Sequence, residues 1–255
     1  MTIVAVIQAR TGSTRFPGKV LADLCRRPML AHIIERVASA RTVDRVVVAT
    51  TEEPEDDAVA ALATRCGAAV IRGSVDDVLS RFLRAATEQA ADVVVRITAD
   101  CPLVDPAVVD RVVRARAEQD ADYAGNVEPA TYPDGYDVEV LTRACLERLD
   151  RESTLPHERE HVTARVREHP AEYRTVNVVW DRDVSSMRLT VDVPEDLERV
   201  AAVLRALPES PSPGVESVVA LLESRALPGP QDGLPGRDER YRAQRDAARP
   251  QETSG

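Results

Sequence analysis

Residues 2–19 read TIVAVIQARTGSTRFPGK, an apolar, β-branched run joined to a loop of small, hydroxyl and cationic residues. TIVAVI (2–7) is apolar at nearly every position, the pattern of a strand buried on both faces of a parallel sheet. Three later runs repeat it: RVVVAT (45–50), AAVI (68–71) and DVVVRIT (92–98). Between them, 28–40, 55–66 and 76–90 carry apolar residues at three-to-four spacing and read as amphipathic helices. Pro28 and Pro54 suit first helical turns, the acidic run after Pro54 suits a helix's positive end, and Gly67 suits a stop. The βαβαβαβ rhythm implies an α/β fold, a doubly wound and mostly parallel sheet with right-handed crossovers.

Beyond Asp100 the rhythm loosens. A helix is expected over 106–118. TYPDGYDVEVLT (131–142) alternates like an antiparallel strand, placing a small antiparallel insertion at about 123–180. HEREHVTARVREH (157–169) reads as one helix, EYRTVNVV (172–179) and MRLTVDV (187–193) as strands, and Pro194 opens a helix over 194–206. These give a main domain over 1–207 and a helical extension over 208–228, with its helix at 214–225. Seven of the 17 prolines fall in the last 48 residues, so 229–255 reads as a disordered tail.

Composition narrows the function. The 255 residues are 44% hydrophobic and 30% charged, the balance of a globular chain, with only 3% aromatics. Few aromatics and a net charge of −10 argue against a nucleic-acid surface, and any anion must be held at a local site. The four cysteines include no CxxC pair, which argues against a zinc cluster or a disulfide framework. No apolar run approaches the roughly 20 residues that span a bilayer. A cytoplasmic protein without membrane partners is the expectation.

The loop after the first strand is where free N–H groups cradle phosphate in such sheets. It is not a Walker A loop: five residues rather than four lie between Gly12 and Gly18, and Val20 rather than Ser or Thr follows Lys19. The dinucleotide fingerprint GxGxxG is also absent. Lys19 is the only lysine in a chain with 33 Lys and Arg residues. An ammonium is a compact point charge suited to phosphate oxygens, where arginine offers a planar fork. A flexible polar connection with no ligand is the alternative for the loop alone.

IQARTGSTRFPGKVL resembles the signature loop of the cytidylyltransferase family that activates acidic sugars, which includes the Kdo and acylneuraminate cytidylyltransferases and an SpsF-like branch of spore-coat polysaccharide biosynthesis. The resemblance continues through RVVVATT, DDVLSRF, RITADCPLVDP, YPDGYDVEVLT, EREHVT and LTVDVPEDLE, over roughly residues 1–206. It implies a Rossmann-like nucleotide-diphospho-sugar transferase fold and transfer of CMP from CTP to an acidic sugar or a phosphonate. Arg10 and Lys19 would hold the triphosphate, helped by Ala9, Gly12, Ser13 and Arg15. Arg10, Lys19 and Asp100 would be the catalytic residues. Asp100 and Asp192 would bind Mg²⁺, which favours one or two carboxylates with phosphate oxygens and water. Each aspartate has an alternative as a helix cap before Pro102 or Pro194. Arg72 and Arg81 would line the nucleotide pocket, unless they are ordinary solvated arginines. Asp134, Gly135, Glu139, Arg159 and His161 would serve the acceptor, although His161 also suits a helix face with no role. Residues 127–142 would cross to a second subunit, making a homodimer. The alternatives are a sugar-phosphate nucleotidyltransferase using another nucleotide and a nucleotide-binding partner protein without turnover.

Overall fold

The computed structural model describes residues 1–207, 213–224 and 239–248. The buried run of the opening stretch is β1 (Ile3–Gln8). A short hairpin, β2 (Asp23–Leu24) and β3 (Arg27–Pro28), leads into α1 (Met29–Ala38). β4 (Arg45–Thr51), α2 (Asp57–Arg65), β5 (Ala69–Gly73), α3 (Val78–Glu88) and β6 (Val93–Thr98) then alternate as the periodicity implies. α4 (Pro106–Glu118), β7 (Tyr123–Gly125), β8 (Glu139–Thr142), α5 (Arg143–Glu152), α6 (Pro156–Glu160), α7 (Ala164–Glu168) and β9 (Thr175–Asn177) follow. α8 (Pro194–Ala206), α9 (Val215–Glu223) and α10 (Glu239–Ala248) complete the chain.

Seven strands form one sheet in the order β5-β4-β1-β6-β8-β7-β9. β1 pairs in parallel with both β4 and β6, whereas β8 runs antiparallel to β6 and β7. The period-2 alternation of β1 sends Ile3, Ala5 and Ile7 to one core with α1, α2, α4, α8 and α9. It sends Val4 and Val6 to the other, with α3 and α5. Helices on both faces make the sheet doubly wound, as expected, with a small antiparallel part. The carboxyl ends of β1 and β6 sit side by side, Gln8 paired with Thr98, so the loops that follow them share one edge, where open α/β sheets bind ligands.

The structure departs from the sequence reading in the second half. Within 131–142 only Glu139–Thr142 is strand, and Tyr132, Tyr136 and Val138 are buried in the chain's own core. These side chains pack against the chain's own sheet. Residues 157–169 break into α6 and α7 because Val162 takes φ +41°, left-handed backbone that no helix continues. MRLTVDV is irregular, touching Asp134 through a single bridge at Arg188. Of 229–255, residues 239–248 are helical rather than disordered, and the rest of that stretch lies outside the described residues. Among the described residues no helix is long and apolar enough to cross a membrane.

Candidate active site

A cleft of about 800 Å³ opens along the shared carboxyl edge of β1 and β6. Its floor is the loop after β1. Gly18 takes φ +72°, a conformation open to glycine at little cost, and its N–H donates to Thr11 O at 2.9 Å. That closure delivers Lys19 to the cleft at the start of a 3-10 turn. Asp56 pins the loop from below by accepting from Thr11 N at 2.7 Å and Thr11 Oγ1 at 2.8 Å, and from Thr51 Oγ1. Burial alone would raise the Asp56 pKa. The donors from Thr51 and Thr11 outweigh that and hold it below the ordinary carboxylate value.

Lys19 Nζ sits at the junction of three acceptors. It donates to Val191 O at 2.6 Å and to Asp192 Oδ1 at 3.0 Å, and lies 3.7 Å from Asp100 Oδ2. Asp192 also pairs with Arg15 and Arg188, each at 3.1 Å. Burial opposes its charge, but the Lys19 ammonium first, then Arg15 and Arg188, hold its pKa below the ordinary value. Neither aspartate caps a helix. Asp105 caps α4 through Ala107 N, and Asp196 takes the N–H groups of Asp192 and Val193 before α8. The cap alternatives fall, and both carboxylates remain aimed at one cation. Two hard oxygen donors converging on an ammonium fit a divalent ion completed by phosphate oxygens and water. Among the described residues no group of three or more His, Cys, Asp or Glu could hold a metal.

At the far end of the cleft, Arg96 of β6 and Glu139 of β8 stand opposite in register and form a buried ion pair. Tyr123 donates to Glu139 at 2.7 Å. Burial would raise the Glu139 pKa, but Arg96 and Arg167, with hydrogen bonds from Thr163 and Tyr123, keep it low. Asp134 lies beside Arg188 and accepts from Thr190 at 3.3 Å. Gly135 places it there with φ +111°, and a Cβ at that position would meet the Leu189 carbonyl carbon at 2.8 Å.

The nucleotide-side candidates Ala9, Arg10, Ser13, Arg15, Lys19 and Arg81 line this one cleft, as does Asp100. Of the acceptor-side candidates it gathers Asp134, Glu139 and His161, and the second metal candidate, Asp192, lines it as well. Arg81 is 3% exposed; burial, then the nearby charge of Arg10, pushes its pKa down to about 10. Gly12 and Gly135 do not line the cleft. Arg72 points away from it, donating to Thr51 O and Glu53 O and pairing with Asp57. Arg159 of α6 is spent on Asp77 and Asp150, tying the start of α3 to α5. Arg96, Arg167, Arg188 and Thr190 line the cleft and went unnoticed in the sequence. Arg96 carried a signal, a lone charge inside a buried apolar run, and Glu139 was its mate.

The sequence model described as Cytidylyltransferase matches residues 4–219. The spore coat polysaccharide biosynthesis protein SpsF of Bacillus subtilis is 34% identical over 86% of this chain and 93% of its own. The structure of a cytidylyltransferase from Leptospira borgpetersenii superposes with TM-score 0.85 at 33% identity, over 88% of this chain and 95% of that one. A CMP:2-keto-3-deoxy-manno-octonic acid synthetase solved with CTP shares the fold, at TM-score 0.61 and 23% identity over 81% of this chain and all of that one. The chain is a nucleotidyltransferase and belongs to the cytidylyltransferase family.

Proposed function

We propose that the chain transfers CMP from CTP to an acidic sugar or a related acid, a phosphonate included, with Mg²⁺ and with release of pyrophosphate. The observation that carries this reading is the convergence of Lys19, Asp100 and Asp192 beside the loop after β1. In the reaction an acceptor oxygen attacks the α-phosphorus, the bond to the β-phosphate oxygen breaks in line, and the acceptor gives up its proton. Such chemistry depends on positioning and charge neutralisation. Arg10, Lys19 and the N–H groups of the loop hold the triphosphate and meet the charge that builds on the departing pyrophosphate. Asp100 and Asp192 hold the metal, which supplies charge neutralisation at the α-phosphate. Asp134, Glu139 and His161 stand at the acceptor end of the cleft.

Thermal shifts with CTP, UTP, ATP and GTP in the presence of Mg²⁺ test the base, and pyrophosphate release with a panel of sugar acids and phosphonates tests the transfer. Selective stabilisation by CTP with acid-dependent pyrophosphate is the expected result. Equal shifts by all four nucleotides, or pyrophosphate release indifferent to every acid, would overturn the reading.

A further inference from the structure

Helix α10 lies beyond the family match, which ends at 219, yet it lines the same cleft through Tyr241 and Ala243. Its seat is built from specific contacts. Tyr241 is 5% exposed, meets the His161 ring edge-on at 5.3 Å and donates to Glu168 at 2.9 Å. The Arg167 guanidinium lies 4.5 Å over the Tyr241 ring, a cation–π geometry. Gln244 bridges the wall of the site, its Nε2 donating to Glu160 Oε2 at 2.8 Å while its Oε1 lies 2.5 Å from His161 Nε2.

The chemistry fixes how that bridge is wired. A carboxylate only accepts, so the Gln244 amide must turn its nitrogen to Glu160 and its oxygen to His161. The flipped amide would set two oxygens against each other. The oxygen in turn requires a proton on His161 Nε2. The helix thus sets both the tautomer and the orientation of a histidine at the acceptor end.

We propose that α10 is an added wall of the acceptor pocket, in which Tyr241 and Ala243 bound the acceptor and Gln244 is the positioning residue for His161. The proposal rests on the cytidylyl-transfer reading above. It concerns the acceptor because α10 meets the cleft wall at Glu160, His161, Arg167 and Glu168, and His161 is the acceptor-side candidate among them.

Five full-length variants test it: Tyr241→Ala, Gln244→Leu, Ala243→Trp, Gln244→Glu, and Gln244→Glu combined with Glu160→Gln. The first readout needs no acceptor. In the protein with ¹⁵N-labelled histidine, the His161 signals should report a protonated Nε2, and Gln244→Leu and Tyr241→Ala should shift its pH titration. Gln244→Glu keeps an oxygen toward His161 but turns its other oxygen on Glu160, so it should restore the Nε2–H signature only when combined with Glu160→Gln, whose amide can donate in return. The second is kinetic, with the acid that the wild type turns over fastest in a panel including 2-keto-3-deoxy-manno-octonic acid. The KM for that acid should rise at least fivefold in Tyr241→Ala and Ala243→Trp, with the KM for CTP within twofold. An unshifted His161 titration in both disrupting variants would overturn the proposal, as would equal changes in the two KM values. If no acid supports pyrophosphate release, the transfer reading fails by itself, and the His161 signals still decide whether α10 holds the wall.

Discussion

Replacing Lys19 by methionine keeps the aliphatic stem and deletes one charge, and two effects of opposite sign should follow. The ammonium is 12% exposed and stands 3.0 Å and 3.7 Å from oxygens of Asp192 and Asp100. At the effective dielectric of a near-surface site, a pair of charges 4 Å apart attracts by about 4 kcal/mol. Two carboxylates about double that gross figure, and solvent at Asp100 together with Arg15 and Arg188 on Asp192 cuts it back. A net release of only about 1.4 kcal/mol is a tenfold change in affinity. Nucleotide-free Lys19→Met should therefore bind Mn²⁺, read by electron paramagnetic resonance, at least tenfold more tightly than wild type. Turnover should move the other way. A lost hydrogen bond to a charged group is worth about 1.5–3 kcal/mol, and about 2.7 kcal/mol is a hundredfold in rate. Lys19→Arg separates charge from shape: Mn²⁺ binding should stay weak while turnover still falls, since a planar fork cannot reach three acceptors clustered around one point. Unchanged Mn²⁺ affinity in Lys19→Met would refute the idea that the ammonium stands at the cation position. Near-wild-type turnover would remove it from the phosphate chemistry.

Glu139→Gln leaves the buried Arg96 without its counter-charge, a loss of about 3 kcal/mol and so roughly 6–12 °C in Tm for a chain of this size. Because the folded Glu139 pKa is lowered, its contribution is present above the ordinary value of about 4.3 and is lost as pH falls through the folded pKa. The Tm gap between wild type and variant should accordingly narrow below about pH 4; a gap constant with pH would contradict the pairing. Gly135→Ala drives a Cβ to 2.8 Å from the Leu189 carbonyl carbon at φ +111°. It should cost about 2 kcal/mol, read as a lower denaturation midpoint with an unchanged slope, and an unchanged midpoint would disprove the close approach. Arg72→Ala should leave the KM for CTP within twofold, because its guanidinium is tied to Thr51, Glu53 and Asp57 outside the cleft. A tenfold rise would return it to the nucleotide pocket.

The first hundred residues were legible because buried parallel strands and amphipathic helices write different periods into the sequence. The β2–β3 hairpin was not. Its two turn residues, Cys25 and Arg26, take φ +53° and +70°, where asparagine and glycine are the usual signal. Val162 hides the α6–α7 break in the same way, a β-branched residue in left-handed backbone that the surrounding contacts impose. For the site, a lone lysine in a loop and Asp100 just past the end of β6 could be read locally, whereas the stretch that carries Asp192 forms no strand. Arg72 and Arg159 could not be separated from Arg81 by type or spacing. Each sits in an arginine-rich helix or strand edge, and only the fold decides which one turns inward.

The electrostatics explain how a chain of net charge −10 keeps a pocket for a polyanion. Its cations are stored against carboxylates: Lys19 and Arg15 on Asp192, Arg188 on Asp192 and Asp196, and Arg96 on Glu139. A buried charge without a partner costs far more than one that is paired, so these pairs let the ligand-free fold hold its cleft cations in place. The pairs differ in how readily they can be exchanged. Arg96–Glu139 is sealed, with side chains 13% and 3% exposed, and behaves as structure. Arg15 is 41% exposed and held by a single partner, so an arriving phosphate can take it over at little desolvation cost. Lys19 is itself 12% exposed, but its partners Asp192 and Asp100, the two carboxylates proposed to bind the metal, are more open at 18% and 31%. On the proposed function, a phosphate that draws the ammonium away would by the same movement uncover Asp100 and Asp192. Nucleotide and divalent ion would then enter as one event rather than two, and a single lysine suffices because the exchange has a single point.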